Sequence, residues 1–520
     1  MNYSVITSLH DKMPDAFSRL LSSMTPQAVA LPASGLRQAG SVLRIVGLVL
    51  AIFSATMLVP IAVALLAGEP AAGAFIKAAL LTAVCGLALW LTFRLFNYEL
   101  QSRDGFLLVS LTWGLLPVFG ALPLLLFLPT LSFTDGFFEA ASGLTTTGAT
   151  VLTGLDQLPV SVNLWRAQLQ WMGGMGLIVL AVAILPMLGV GGRQLFSAET
   201  PGAFKESKLT PRIEDTARGL WYVYVGISAA CAIGYWLGGM SASDAVIHSF
   251  TTLSLGGYSS HDASFGHFDS PVLEGIAMVF MLIAGINFST HFLAWHGKGM
   301  RPYRADAEAR WYLAVTLGSA VLIAVVLALD YTYSSFLTAL RYSLFNTISI
   351  ATTTGYANAD YAVWPIFAPA LMLALCLFAS SAGSTGGGVK MIRIKLAVLQ
   401  LRREFTRLAH PHAVVPVKIG NETIPPAIMT SVLTFLGAYA TIMVLLTLVL
   451  MASGLSAITA ASAVVACISN TGPGLNEIGP STTYAVLTDF QTWVCSVAML
   501  IGRLELFTVL IIFTRGYWRR

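Results

Sequence analysis

The chain has 520 residues, 56% of them hydrophobic and only 10% charged, with a formal net charge of +4. Soluble domains carry about 25% charged residues, so this composition excludes a string of soluble domains and points to one polytopic membrane domain. The five cysteines form no CxxC or Cys/His cluster, so neither a disulfide framework nor a zinc site is indicated, and the placement of charge gives orientation rather than a nucleic-acid partner.

Residues 1–40 are polar to mixed and contain Pro14, Pro26 and Pro32. They predict a loosely ordered cytoplasmic tail, with a short surface helix over 15–21 as the other reading. No basic stretch runs directly into an apolar core and a cleavage site, so no removable signal peptide is expected. Two apolar spans, 42–66 and 74–96, fill residues 41–97 as an extra pair. Four similar units follow, at 105–190, 219–297, 309–397 and 424–515. Each is predicted to hold a spanning helix, a helix too short to cross a bilayer core of about 30 Å, and a returning span. The spans lie near 106–127 and 165–188, 220–240 and 272–295, 311–329 and 367–396, and 427–451 and 492–513. The short helices lie near 135–143, 242–250, 336–349 and 457–467.

The fold class is therefore an all-α polytopic membrane protein: four pseudo-repeats of helix, pore loop and helix around one pore, preceded by two extra transmembrane helices. Ten spans put both termini on one side. Of the 29 Lys and Arg, 25 fall in segments on that side, including Arg193, Lys205, Lys208, Arg212 and Arg218 of the linker after the first unit. The positive-inside rule makes that side the cytoplasm.

Each short helix runs into a Thr/Gly phrase: Thr145-Thr146-Thr147-Gly148, Leu253-Ser254-Leu255-Gly256, Thr352-Thr353-Thr354-Gly355 and Ser469-Asn470-Thr471-Gly472. Their glycines stand 108, 99 and 117 residues apart, the interval of one structural unit used four times. A single such phrase is an ordinary turn. Four of them, each between a short apolar helix and a spanning one, predict a ring of backbone oxygens at membrane depth. A dehydrated cation needs replacement oxygens at successive levels, and glycine permits the backbone that supplies them. The carbonyl ends of the short helices favour positive charge at the same place.

The last span of the third unit is interrupted by Ser381-Ala382-Gly383-Ser384-Thr385-Gly386-Gly387-Gly388. Each glycine costs a helix about 1 kcal/mol against alanine. Two readings follow: an intramembrane loop that opens and closes the pore, or a span that simply ends there, with Lys390 starting the inner loop. A phosphate-binding loop is excluded by spacing, because Val389 separates Gly388 from Lys390 and Met391 follows. Arg503 lies midway along its span, where a cation faces a cavity or a partner. It would sit below the filter, pairing with loop carbonyls or with Glu505, or make a structural helix contact. Asp262, Asp269, Asp360 and Glu477 follow the phrases on the outer side, as solvated loop charges or as a means of concentrating cations. His248, His261, His267, His291 and His296 show no helical metal-ligand spacing, and no transition metal is expected.

On ASGLTTTGAT, WMGGMG, FTTLSLGGYSSHD, NTISIATTTGYANADY, SAGSTGGGVK and SNTGPG, the chain resembles the Trk/Ktr/HKT superfamily of potassium transporters over roughly residues 41–515. The extra helix pair resembles the bacterial TrkH type. The resemblance implies potassium ligands on Thr146, Thr147 and Gly148; Ser254, Leu255 and Gly256; Thr353, Thr354 and Gly355; and Asn470, Thr471 and Gly472. It favours the gating reading for Gly383, Ser384, Thr385, Gly386, Gly387 and Gly388 with Arg503. It further implies a homodimer in the lipid of the bacterial inner membrane. A TrkA-like cytoplasmic regulator would carry the nucleotide (ATP/ADP or NAD), with no cofactor in this chain and no enzymatic activity. Leu255 departs from the family's usual threonine and leaves that quadrant without a hydroxyl. Retention of glycine in all four phrases favours potassium over sodium, by analogy with plant relatives. Passive flux and coupling to protons or sodium both remain open. The alternatives are the ion-binding subunit of a primary potassium-pumping ATPase and, less well matched to four pore loops, an alternating-access carrier.

Overall fold

The computed structural model describes residues 34–96, 100, 102–188, 213–419 and 422–518. The expected short helix over 15–21 and Arg193, Lys205, Lys208 and Arg212 of the basic linker lie outside them.

The extra pair is α1 (Ser34–Thr56), continued by α2 (Leu58–Leu66), and α3 (Ala72–Phe93). α1 and α3 cross where Gly47 faces Gly86. A methyl group on Gly86 would sit 2.6 Å from the Ala51 nitrogen, so only the missing side chains allow these backbones so close.

The first unit comprises α4 (Ser102–Phe127), the short α5 (Phe133–Leu144) and α6 (Val160–Leu188). The second comprises α7 (Ile213–Leu237), the short α8 (Ala242–Leu253), and α9 (Pro271–Ala284) with α10 (Phe288–Leu293). The third comprises α11 (Ala307–Leu329), the short α12 (Phe336–Ala351), and α13 (Phe367–Cys376) with α14 (Met391–Ala409). The fourth comprises α15 (Pro426–Ala452), the short α16 (Ala457–Ile468), and α17 (Asp489–Arg503) with α18 (Leu506–Leu510). The only strands among the described residues are Lys418–Ile419 and Glu422–Thr423, a two-residue antiparallel pair.

Six described helices are long and apolar enough to cross a membrane, or eight if each of two bent pairs counts as one span. Those pairs correct the expectation of straight spans at 272–295 and 492–513. The chain turns by 94° between Ala284 and Phe288 and by 111° between Arg503 and Leu506. At the first break Asn287 caps the new helix through Ser289 N–H. At the second, Glu505 takes a left-handed φ of 55°, which no helix continues through. Residues 377–390 form a third, non-helical break between α13 and α14.

Beside its apolar core clusters, the interior encloses many polar groups, and many apolar side chains face outward. Ser142, Thr145, Thr147, Thr251, Ser349, Thr354, Ser469 and Thr471 are fully enclosed, while Leu66, Leu80, Val84, Leu237, Leu329 and Leu448 are exposed. Apolar side chains turned outward and polar ones inward suit a chain whose outer solvent is lipid.

Candidate functional site

All four short helices begin alike. Ser132, Ser241, Ser335 and Ser456 are N-caps whose hydroxyl oxygens accept the N–H of Asp135, Asp244, Leu337 and Thr459. All four also end alike, on the caps Thr145, Ser254, Thr352 and Ser469. The next residue in each, Thr146, Leu255, Thr353 or Asn470, has a left-handed φ of 56°, 54°, 65° or 54°. Two N–H groups then close back onto the last turn: Thr146 to Gly143 O and Thr147 to Ser142 O in the first unit. Their equivalents are Leu255 to Thr252 and Gly256 to Thr251, Thr353 to Ile350 and Thr354 to Ser349, and Asn470 to Cys467 and Thr471 to Ala466. This is a Schellman motif built four times. None of the four left-handed residues is glycine, at a cost of about 1–2 kcal/mol each.

These caps correct the register of the second phrase. Leu255 is the counterpart of Thr146, Thr353 and Asn470, so the counterpart of Gly148, Gly355 and Gly472 is Gly257, not Gly256. Gly257 has φ 73°, beside 82°, 87° and 93° in the other three. The expected trio Ser254, Leu255 and Gly256 therefore becomes Leu255, Gly256 and Gly257, with Ser254 as the helix cap. The physical reason is that the helix end, not the first glycine of a doublet, sets where the chain reverses.

The four phrases meet in a closed ring. A methyl group on Gly148 would strike the carbonyl oxygen of Gly256, one on Gly257 that of Thr354, and one on Gly355 that of Thr471. A methyl on Gly472 would come within 2.7 Å of the carbonyl oxygen of Thr147, which closes the circle. Thr146 Oγ1, Asn470 Oδ1 and Thr471 Oγ1 are buried there without a protein hydrogen-bond partner. A closed ring of main-chain carbonyls at this depth is chemically suited to a partly dehydrated cation.

The ring is braced from behind. Gln170 of α6 donates to Gly256 O at 2.7 Å and accepts the N–H of Tyr258 at 3.1 Å. The hydroxyl of Tyr258 donates to Glu139 O and Ala149 O, and that of Tyr484 to Gly472 O at 2.8 Å. Tyr356 shares hydrogen bonds with Thr251 and Thr252 of α8. Asn470 Nδ2 donates to Thr147 Oγ1 at 3.0 Å, tying the fourth unit to the first. Glu139 and Arg166 form a fully buried ion pair at 2.9 Å. Arg166 also donates to Ser259 O and Thr150 Oγ1, and its guanidinium lies 4.3 Å over the ring of Tyr258. Sequence reasoning assigned no role to Arg166 or Glu139. Their placement inside otherwise apolar helices was the available signal.

Under the ring lies the glycine-rich break. Thr385 Oγ1 donates to Leu253 O at 2.9 Å, and Gly387 N–H donates to Thr353 Oγ1 at 2.9 Å. A methyl on Gly387 would collide with Ser469 O, so this loop lies against the carbonyl ends of the short helices. Lys390 Nζ donates to Gly386 O, and Ser380 Oγ to Gly387 O at 2.6 Å. Glu308 of α11 fastens both ends, accepting Ala382 N–H at 2.9 Å and Ile392 N–H at 3.0 Å. Gly383 O accepts from Phe288 N–H at the break between α9 and α10. Arg503 donates to Thr385 O at 3.0 Å and to Gly173 O and Gly174 O at 2.5 and 3.3 Å. Of the partners considered for Arg503, the loop carbonyls are the ones it meets. Glu505 instead accepts two bonds from Arg393 Nη2.

Beyond the ring, three of the four outer acids have structural partners. Asp262 accepts Leu155 N–H, Asp269 pairs with Arg341 at 2.9 Å, and Asp360 caps Ala362. His261 stands between Asp156 and Asp244. Partial burial alone would lower its pKa, but the neighbouring carboxylates of Asp244 and Asp156 outweigh it and hold the imidazole above its usual 6.5.

Residues 72–518 match the family model TrkH, described as a cation transport protein. The Trk system potassium uptake protein TrkH of Vibrio parahaemolyticus is 46% identical over 482 residues, covering 92% of this chain and 99% of that relative. The protein of the same name from Escherichia coli K12 is 44% identical over 480 residues, with the same coverage. The crystal structure of the potassium transporter TrkH from Vibrio parahaemolyticus matches with a TM-score of 0.84 at 44% identity, over 93% of this chain and 100% of that one. The chain therefore belongs to the TrkH family of cation transport proteins, and is a multi-pass, all-α membrane protein rather than an enzyme.

Proposed function

We propose that this chain takes up potassium across the bacterial inner membrane through a channel-like pore with both termini in the cytoplasm. Its selectivity filter is the ring formed by Thr146-Thr147-Gly148, Leu255-Gly256-Gly257, Thr353-Thr354-Gly355 and Asn470-Thr471-Gly472. The observation that carries this reading is the closure of that ring, in which each unit's glycine abuts a carbonyl of the next. Potassium is the cargo named for the relatives. The loop from Gly383 to Gly388, held by Arg503, is the gate: it lies across the inner end of the ring and its links are hydrogen bonds that can be exchanged for water. A homodimer, and a TrkA-like cytoplasmic regulator that binds the nucleotide, complete the proposal. Family membership disfavours the pump-subunit alternative.

Flux into proteoliposomes holding the purified chain tests it, with potassium, rubidium and sodium compared under an imposed voltage. Potassium and rubidium flux above sodium, lost in Gly355→Leu, is the expected result. Equal flux for all three would refute the filter. Following internal pH in the same vesicles separates proton symport from passive flux.

A further inference from the structure

On the outer side, three potential metal ligands from two units converge: Asp156, His261 and His267, whose ligand atoms all lie within 4.8 Å of one another. Asp156 Oδ1 is 2.5 Å from His261 Nδ1 and 3.8 Å from His267 Nδ1. The two imidazoles are stacked, with centroids 3.5 Å apart and planes within 4°, so the rings must tilt towards each other for both in-plane Nδ1 lone pairs to meet one ion. A tetrahedral zinc ion with bonds of about 2.0–2.1 Å spaces its ligand atoms about 3.3 Å apart. The 3.8 Å separation lies near that value, while the 2.5 Å Asp156–His261 contact is a hydrogen bond that a metal would replace by moving the two groups apart.

The supports are rigid. His267 ends a 3₁₀ turn, Ser264–His267, whose Gly266 N–H is bound by Ala357 O at 3.2 Å. Asp156 sits in the turn Leu155–Gln157, where Asp262 accepts Leu155 N–H and donates its own N–H to Asp156 Oδ2. The far nitrogen of His261, Nε2, has no hydrogen bond and faces Asp244 Oδ1 at 3.5 Å. A carboxylate behind the free nitrogen is the usual outer partner of a metal-bound histidine. The side chains of His267 and Asp156 are 46% and 41% exposed, which leaves an access path and room for water on the metal.

We propose that Asp156, His261 and His267 bind a transition-metal dication of the zinc class at the outer mouth, clipping the first unit to the second. The site stands independently of the potassium reading. The bound dication would hold together the segments leading away from Gly148 and Gly257 and place positive charge outside the ring.

The test uses the purified full chain in nanodiscs at pH 8, titrated with zinc chloride against a chromogenic chelator, and with cobalt chloride followed by visible absorption. The expected result is one zinc per chain and tetrahedral cobalt bands. Both should weaken by at least about tenfold in His267→Gln and be unchanged in His412→Ala, a control in the inner loop. His267 carries the test because it is exposed, whereas removing Asp156 also breaks bonds that shape the loops. Should His267→Gln fail to fold, the wild-type cobalt spectrum decides: its absence overturns the proposal. Zinc binding that is absent, or equally tight in folded His267→Gln, overturns it as well.

Discussion

Replacing Arg503 by alanine should unlatch the loop beneath the ring. Its guanidinium joins Thr385 to Gly173 and Gly174 through bonds of 3.0, 2.5 and 3.3 Å. Hydrogen bonds from a charged donor contribute about 1.5–3 kcal/mol each, so the two shorter ones hold the closed arrangement by about 3–6 kcal/mol. Water reclaims part of this once the loop moves. A net loss of only about 1.4 kcal/mol already raises the ratio of open to closed tenfold. Rubidium uptake by the chain alone in proteoliposomes, normalised to inserted protein, should therefore rise at least about tenfold. Arg503→Lys keeps the charge but not the planar fork, and should fall between the two. If Arg503→Ala elutes as folded protein and conducts no better than wild type, the arginine does not latch this loop and the assignment fails.

The register of the second phrase predicts unequal effects from neighbouring glycines. Gly257→Ala should abolish selective flux, because its φ of 73° is left-handed and its methyl strikes Thr354 O. Gly256→Ala first meets the Gln170 side-chain amide, at 2.5 Å, rather than backbone, and should keep a measurable potassium preference; the reverse order would return the register to Gly256. Arg166→Met leaves Glu139 buried without its partner and should destabilise the chain by about 3–5 kcal/mol, seen as an earlier unfolding midpoint in denaturant. Adding Glu139→Gln should recover part of that loss, and strict additivity would argue against the pair. Glu308→Ala orphans the N–H groups of Ala382 and Ile392 at about 1–3 kcal/mol each. Hydrogen exchange should accelerate in 377–392, with peptides from α1 and α3 unchanged as the comparison.

Much of the frame is readable from composition and spacing, since hydrophobic length and the Thr/Gly phrases are local signals. The slip in the second unit was avoidable. Thirteen residues separate Ser132 from Thr145 and Ser456 from Ser469, and the same count from Ser241 reaches Ser254 and so points to Gly257. Aligning on glycine alone hid this behind the doublet Gly256-Gly257. The bends at Gly285 and Glu505 were not legible, because each follows from what the break touches: Gly285 O accepts from Ser381 N–H across the fold. The same holds for Glu139 with Arg166, and for His261 with His267 and Asp156. Those partners meet only after separate helices, or the loops that follow them, have packed together.

The left-handed residue after each helix cap has a further consequence. Because the ring draws its carbonyls from the main chain, the side chain at this position is free to differ from quadrant to quadrant, and it does. Thr146 leaves its hydroxyl unclaimed, while Leu255 joins the apolar cluster around Tyr235, Phe265 and Tyr356. Thr353 takes the N–H of Gly387, and Asn470 reaches Thr147 and Met499 O. A near-fourfold backbone thus carries four dissimilar attachments, one to the latch, one to a neighbour, one to the protein's own apolar core and one to none. Division of labour of this kind is open to a single continuous chain, whereas four identical subunits must repeat one choice at every corner.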